Sequence, residues 1–338
     1  MAHRLTVLGA GSWGTALAVH MGRVGHEVRL WGRDAPLVAS MIKHRQNSAY
    51  LPDFVLPESV MPTASLEEAL VGSTCVVAAV PSHGTRTVIQ QASAFLPGDV
   101  PIVSATKGLE PGRMRRMSQV IEEEMGGANP VAVLSGPSFA AEVARELPTA
   151  VLVASREPSL LKLVQEEFRS KYFRLYASND VIGVELGGAL KNVIAIAAGV
   201  VESLGLGNNA LAGLITRGLA EMTRLACAEG GRRETLAGLS GLGDLVLTCT
   251  GGLSRNRRVG LELGKGRPLE TVLGEMKMVA EGVRTTGAAL ALGAEHGIEL
   301  PIALQMAEVL AGRVAPLEAV EALMLRRQRV EADTNEPA

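Results

Sequence analysis

The sequence predicts an open, parallel α/β domain followed by an all-helical domain. Three observations carry that expectation. First, residues 5–8, 28–31, 74–80, 101–104, 131–135, 150–154 and 173–176 are short β-rich runs. They alternate with helical patterns such as 113–125 and 158–168, the signature of a parallel sheet with crossover helices. Second, several of these runs are continuously apolar, as strands buried on both faces are. Third, β-rich runs nearly vanish after about Asn179. Long helical periodicities replace them at 181–204, 209–228, 254–264, 282–296 and 302–311. Ser178, Asn179 and Asp180 offer an N-cap to the first of these helices. The expected division is 1–179 for the sheet domain, 180–330 for the helical domain and 331–338 for a solvated tail.

The 338 residues suit about two domains. Lys and Arg total 33 and Asp and Glu 35, a net charge of −2, so no basic excess is present to hold a nucleic-acid backbone or an anionic membrane. Aromatic residues make up only 3%, too few for a platform that stacks single-stranded nucleic acid. The 38 glycines are about 11% of the chain, against an average near 7%. Cys75, Cys227 and Cys249 are odd in number and lack CxxC spacing, which argues against a disulfide framework and a zinc site. The six histidines show no HxxxH or HExxH spacing, so no metal is expected. The uninterrupted apolar run 193–201 is far short of the roughly 20 residues of a membrane span. No signal-peptide architecture opens the chain, and a cytoplasmic protein is expected. The small-residue helices of the second half admit packing as a homodimer.

The sharpest local signal is Gly9-Ala10-Gly11-Ser12-Trp13-Gly14, placed after the first β-rich run and opening a helix. That context turns a weak GxGxxG pattern into a dinucleotide turn. Gly9 permits the tight turn, Gly11 the approach of a pyrophosphate, and Gly14 close packing of helix on strand. The helix start supplies free N–H groups and partial positive charge. A Rossmann-type NAD(P)-binding domain is therefore expected over 1–179. The second run ends at Gly32-Arg33-Asp34. An acid near this point favours NAD, and an Arg accommodates the 2′-phosphate of NADP. Arg33 stands nearest, so use of NADPH is expected.

Ligands of such sheets bind at the carboxyl ends of the strands. Run 74–80 ends in Pro81-Ser82, run 101–104 leads to Lys107-Gly108, and run 131–135 ends in Gly136-Pro137-Ser138. Ser138 is expected to cap the next helix. In the second half, Lys191 and Asn192 are the only polar residues between Gly187 and Val201. A helix apolar on both faces is central and buried. Burial lowers the pKa of a lysine and fits Lys191 to exchange protons near neutral pH. Asp244, after Gly241-Leu242-Gly243, is placed to orient it. Ser254 is expected to cap a helix whose first turn carries Arg255 and Asn256. Basic residues there oppose the helix dipole, a conflict that a bound phosphate resolves.

The stretches GAGSWGTALA, AVPSH, TKGLEPG, LSGPSFAAEV, GVELGGALKNVIAIAAG, NNALAGLITRGLAEM, GLSGLGDLVLTCT, SRNRRVG and VAEGVRTT resemble the bacterial NAD(P)-dependent sn-glycerol-3-phosphate dehydrogenases, from about residue 4 to about residue 325. The resemblance implies a helical second domain of the 6-phosphogluconate dehydrogenase-like kind, with the active site between the halves. It implies reversible reduction of dihydroxyacetone phosphate to sn-glycerol 3-phosphate, which serves glycerophospholipid synthesis, with NAD(H) or NADP(H) and no metal. It also implies that Lys191 transfers the proton, with Lys107 and Asp244 beside it. By the same resemblance Gly136, Ser138, Asn192, Thr248, Ser254, Arg255 and Asn256 join the substrate site. Ser12, Trp13, Arg33, Lys107, Ala140, Arg255, Val279 and Glu281 are implied to meet the cofactor, with Gly9, Gly11 and Gly14. A two-domain β-hydroxyacid or ketopantoate-type reductase and a non-catalytic dinucleotide sensor are the alternatives. The basic SRNRR segment argues against the first, and a buried lysine without work argues against the second.

Overall fold

The computed structural model describes residues 3–331 except Lys277 and Arg329. The expected tail at 331–338 therefore lies, Glu331 aside, outside the described residues. The first half runs β1 (Arg4–Leu8), α1 (Ser12–Val24), β2 (Glu27–Trp31), α2 (Ala35–His44), β3 (Gln46–Asn47), β4 (Leu51–Val55), β5 (Val60–Thr63) and α3 (Leu66–Leu70). It continues with β6 (Cys75–Ala78), α4 (Ser82–Ala92), β7 (Ile102–Ser104), α5 (Met117–Glu124), β8 (Val131–Ser135), α6 (Ala140–Ala144), β9 (Thr149–Ala154), α7 (Pro158–Phe168) and β10 (Phe173–Ser178). Helices follow: α8 (Val181–Ser203), α9 (Gly207–Ala228), α10 (Arg233–Leu236), a π-helical turn (Leu239–Gly243), α11 (Asp244–Thr250) and α12 (Arg255–Gly264). The last are α13 (Leu269–Gly274), α14 (Glu281–Glu295), α15 (Pro301–Leu310) and α16 (Pro316–Met324).

Eight strands form one sheet in the order β10-β9-β8-β7-β6-β1-β2-β5, and β3 and β4 form a separate antiparallel hairpin. The chain leaves β1 toward β2 and β5, then crosses back to β6 on the other side. The carboxyl end of β1 is thus the switch point, where such sheets hold their ligands. The sheet is not wholly parallel, which corrects the expectation. β9 pairs antiparallel with β8 and parallel with β10. The link from β8 to β9 carries only the 5-residue α6, roughly 7.5 Å of helix, which does not carry the chain back along the strand.

The side chains of β1 show why the strand forms. Leu5 and Val7 enter the core on one sheet face with Leu17 and Phe173, while Leu8 enters the core on the other with Val76 and Ile89. The helical half is built around α8, buried along nearly its whole length. Asp180 caps it, its carboxylate accepting from Gly183 N at 2.8 Å. Helix α12 crosses α8 at backbone contact. A Cβ on Gly199 would stand 2.0 Å from the Arg257 carbonyl oxygen, so only glycine fits there. Helix α8 is also long and apolar enough to cross a membrane, but it lies inside the protein core. One buried polar cluster ties the halves together. Glu185 of α8 accepts from Arg116 Nη1 at 2.8 Å, Ser118 N at 2.8 Å and Ser118 Oγ at 2.6 Å.

The expected helix 113–125 begins only at Met117. Met114 adopts φ +56°, and Arg116 is drawn across to Glu185. Tertiary contact overrides helical propensity there.

Candidate active site

The glycine-rich turn follows β1 directly. Gly9 adopts φ +115°, and a Cβ on it would lie 2.7 Å from the Ala79 carbonyl oxygen. A Cβ on Gly14 would lie 1.9 Å from the Gly9 carbonyl oxygen. Both glycines are required for strand, turn and helix to touch. Gly11 differs: a Cβ there would meet no protein atom within 4 Å. It heads α1 with no side-chain cap on the helix. The indole N–H of Trp13, in the first turn, is a buried donor without a partner among the described residues. An open approach to uncapped backbone N–H groups fits a dinucleotide pyrophosphate. The residues present thus suit a nicotinamide dinucleotide.

Helix α8 passes the carboxyl end of β8 so closely that a Cβ on Gly188 would lie 2.6 Å from Ser135 Oγ. One turn on, this places Lys191 beside residues of the sheet. Lys191 is 6% exposed. Its ammonium donates to Asp244 Oδ1 at 2.6 Å and to Thr248 Oγ1 at 2.7 Å. The Thr248 hydroxyl donates in turn to the Asp244 carbonyl at 2.6 Å. Burial lowers Lys191 from 10.5 to about 8; the Asp244 carboxylate opposes that fall and the Lys107 cation adds to it. Lys107, just beyond β7, donates to the other oxygen of Asp244 at 2.7 Å and to the Gly136 carbonyl at 2.8 Å. One carboxylate, 1% exposed, therefore bridges two lysines from opposite halves of the chain. The cluster carries a net positive charge, which suits an anionic substrate.

Ser138 does not cap the next helix, contrary to expectation. Phe139 holds that position with no side-chain cap. The Ser138 hydroxyl instead donates to the Gly136 carbonyl at 2.9 Å and stands 3.4 Å from Lys107 Nζ. Ser254 does cap α12, accepting from Arg257 N at 3.2 Å. Asn256 reaches inward: its amide nitrogen donates to Asn192 Oδ1 at 2.9 Å, and its amide oxygen accepts from Gly282 N at 2.9 Å. Glu281, at the start of α14, accepts from Ser82 N at 3.0 Å and Ser82 Oγ at 2.6 Å. Hydrogen bonds thus run from the sheet edge at Ser82 to the residue beside Lys191. Arg255 is exposed at the start of α12, within electrostatic reach of Glu281. Arg33 is exposed beyond β2, where Asp34 caps α2 by accepting from Leu37 N at 3.1 Å. Ala140 and Val279 are half-buried at the start of α6 and just before α14. Among the described residues, no group of three or more His, Cys, Asp or Glu side chains is placed to hold a metal ion.

Three features escape the sequence reading: the sharing of Asp244, the Ser82–Glu281 tie, and the fastening of the glycine-rich turn by Asn47 and Tyr50. The first two join residues distant in the chain. The third rests on residues that carry no motif.

A buried amine that releases its proton near neutral pH serves chemistry in which a carbonyl and an alkoxide interconvert. With a dinucleotide turn at the carboxyl end of the same sheet, the class is a nicotinamide-dependent dehydrogenase. Comparisons with known proteins sharpen this. Residues 4–161 match the N-terminal domain, and residues 180–321 the C-terminal domain, of NAD-dependent glycerol-3-phosphate dehydrogenase. A relative from Koribacter versatilis, named glycerol-3-phosphate dehydrogenase [NAD(P)+], is 51% identical over 332 residues, covering 97% of this chain and 98% of its own. One of the same name from Thioalkalivibrio sulfidiphilus is 51% identical over 327 residues, covering 97% and 98%. The crystal structure of glycerol-3-phosphate dehydrogenase from Coxiella burnetii superposes with a TM-score of 0.93 at 43% identity, covering 96% of this chain and 99% of that one. The chain belongs to the NAD-dependent glycerol-3-phosphate dehydrogenase family.

Proposed function

We propose that this protein interconverts dihydroxyacetone phosphate and sn-glycerol 3-phosphate, with Lys191 as the proton-transferring residue. The observation that carries the proposal is the Lys191–Asp244–Lys107 cluster, whose Lys107 follows the carboxyl end of β7 as the glycine-rich turn follows that of β1, two strands away in the same parallel run. The nicotinamide, when bound, supplies or accepts the hydride. Gly9, Gly11, Ser12, Trp13 and Gly14 hold its pyrophosphate side. Arg33 receives a 2′-phosphate, and Ala140, Val279 and Glu281 line the remainder. In reduction, Lys191 Nζ gives its proton to the carbonyl oxygen as that oxygen gains electrons. In oxidation, the neutral amine removes the hydroxyl proton. A value of about 8 lets Lys191 work in both directions near neutral pH.

Asp244 and Thr248 fix the direction of the amine. Lys107, steadied by Gly136 and beside Ser138, stabilises negative charge on the substrate oxygens. Arg255 and the start of α12, shaped by Ser254 and Asn256, bind the phosphate, and Asn192 orients the chain between. The sheet half, 1–179, is assigned to the cofactor and the helical half, 180–330, to substrate and catalysis. The homodimer belongs to the same proposal; Leu304, Leu317 and Met324 give α15 and α16 exposed apolar surface for it. The three free cysteines support a reducing, cytoplasmic setting. The test is NAD(P)H oxidation with dihydroxyacetone phosphate against unphosphorylated dihydroxyacetone and ketopantoate. Strong preference for the phosphorylated ketone is expected. Equal or better turnover of ketopantoate overturns the assignment.

A further inference from the structure

The glycine-rich turn is held in place from outside the sheet. Asn47, on the β3–β4 hairpin, is fully buried. Its amide nitrogen donates to the Ala10 carbonyl at 2.9 Å and to Thr15 Oγ1 at 2.8 Å. Its amide oxygen accepts from Tyr50 N at 3.2 Å. A carbonyl only accepts and a backbone N–H only donates, so these partners fix which way the amide faces. Ser12 adds a second tie, donating to the Tyr50 carbonyl at 2.8 Å. Hairpin and turn are thus locked together at the point where α1 begins.

The Ala10–Gly11 peptide is planar and trans, so its C=O and N–H point in opposite directions. With the carbonyl drawn to Asn47, the Gly11 N–H is turned away from the hairpin. Gly11 is also the one glycine of the motif with no protein atom within 4 Å of its Cβ direction. Thr15 Oγ1, the second acceptor, sits in the first turn of α1 and carries the same constraint into the helix.

We infer that Asn47 is a positioning residue for the dinucleotide: it holds the Ala10–Gly11 peptide so that its N–H faces the pyrophosphate. This rests on the reading that the glycine-rich turn seats the cofactor. The peptide is then preorganised, and binding does not have to turn it. Without Asn47 the Ala10 carbonyl loses its partner and the peptide is free to rotate.

The test is direct titration of NADH and NADPH, followed by tryptophan fluorescence, on Asn47→Asp, Asn47→Ala, Thr15→Val, Thr15→Ser and Gly11→Leu proteins. Asn47→Asp keeps the size and the acceptor but has no N–H to donate. Both Asn47 variants are expected to weaken both cofactors by roughly tenfold, the scale of one or two lost hydrogen bonds. The KM for dihydroxyacetone phosphate and kcat at saturating cofactor stay near wild type. Thr15→Val weakens the cofactors in the same sense, and Thr15→Ser restores them. Gly11→Leu separates the two claims: wild-type cofactor affinity there overturns the seating of the cofactor on this turn. Loss of affinity in Gly11→Leu with unchanged affinity in folded Asn47→Asp overturns the role of Asn47. A fall in melting temperature with unchanged cofactor Kd makes Asn47 merely structural, and also overturns it. Should the Asn47 variants fail to fold, unchanged affinity in Thr15→Val has the same force.

Discussion

Replacing Asp244 by Asn removes the charge that two lysines share and leaves the shape of the site. In the wild type, Asp244 Oδ1 lies 2.6 Å from Lys191 Nζ and Oδ2 lies 2.7 Å from Lys107 Nζ. At an effective dielectric near 20, opposite unit charges about 3 Å apart attract by roughly 5 kcal/mol. Lys107 repels Lys191 from across the same carboxylate and survives the substitution. If only about a third of the attraction is lost, Lys191 falls by a further 1.3 pH units or so. The direction follows from the causes: burial and Lys107 push the ammonium down, and Asp244 is the group that holds it up at about 8. In Asp244→Asn the pH dependence of kcat, measured in both directions with saturating cofactor, should therefore move to lower pH. Ketone reduction loses its proton donor earlier as pH rises, and alcohol oxidation gains its base earlier. The variant should also lose about 3 kcal/mol of stability in urea, because the buried Lys191 ammonium and the half-buried Lys107 lose the carboxylate they share. A profile that stays in place, or moves to higher pH, refutes this account of how Lys191 is tuned.

Two further outcomes follow. At saturating cofactor, Arg255→Ala should raise the KM for dihydroxyacetone phosphate by roughly 10- to 100-fold, the scale of a lost charge-assisted hydrogen bond, and affect an unphosphorylated ketone far less. An unchanged KM removes the phosphate role. Glu221, on α9, is buried and accepts from Ile302 N at 2.7 Å, capping α15, and burial lifts its carboxyl from 4.5 to about 7. The folded protein then holds the extra proton between these values, so stability should fall by up to roughly 3 kcal/mol as pH rises through that window. Glu221→Gln should flatten this slope in melting experiments; an unchanged slope places its origin elsewhere.

Much of the architecture is legible because burial writes itself into runs of residues. The strands of the sheet interior are mostly apolar stretches, and α8 carries only Lys191 and Asn192 as polar residues between Gly187 and Val201. Lys191 is conspicuous for the same reason, as the one charge in the stretch from Gly187 to Val201. Strand direction is not encoded in such runs, and so the reversal between β8 and β9 is visible only in the fold. Residue 138 illustrates a second limit. Its neighbours suggest a helix cap, but the pull of Gly136 and Lys107 redirects the hydroxyl. Arg116 is a third case, since a buried glutamate 69 positions away outweighs local helical preference. Asn47 lies in a hairpin with no motif at all, and its importance comes only from what it touches.

The measurement that bears most directly on the central claim is the turnover of Lys191→Ala at saturating substrate and cofactor, alongside cofactor affinity in the same preparation. Loss of a positioned proton donor should lower kcat by about 10²- to 10⁴-fold while the Kd for NADPH stays near that of the wild type. A folded Lys191→Ala protein that turns over at close to the wild-type rate contradicts the account.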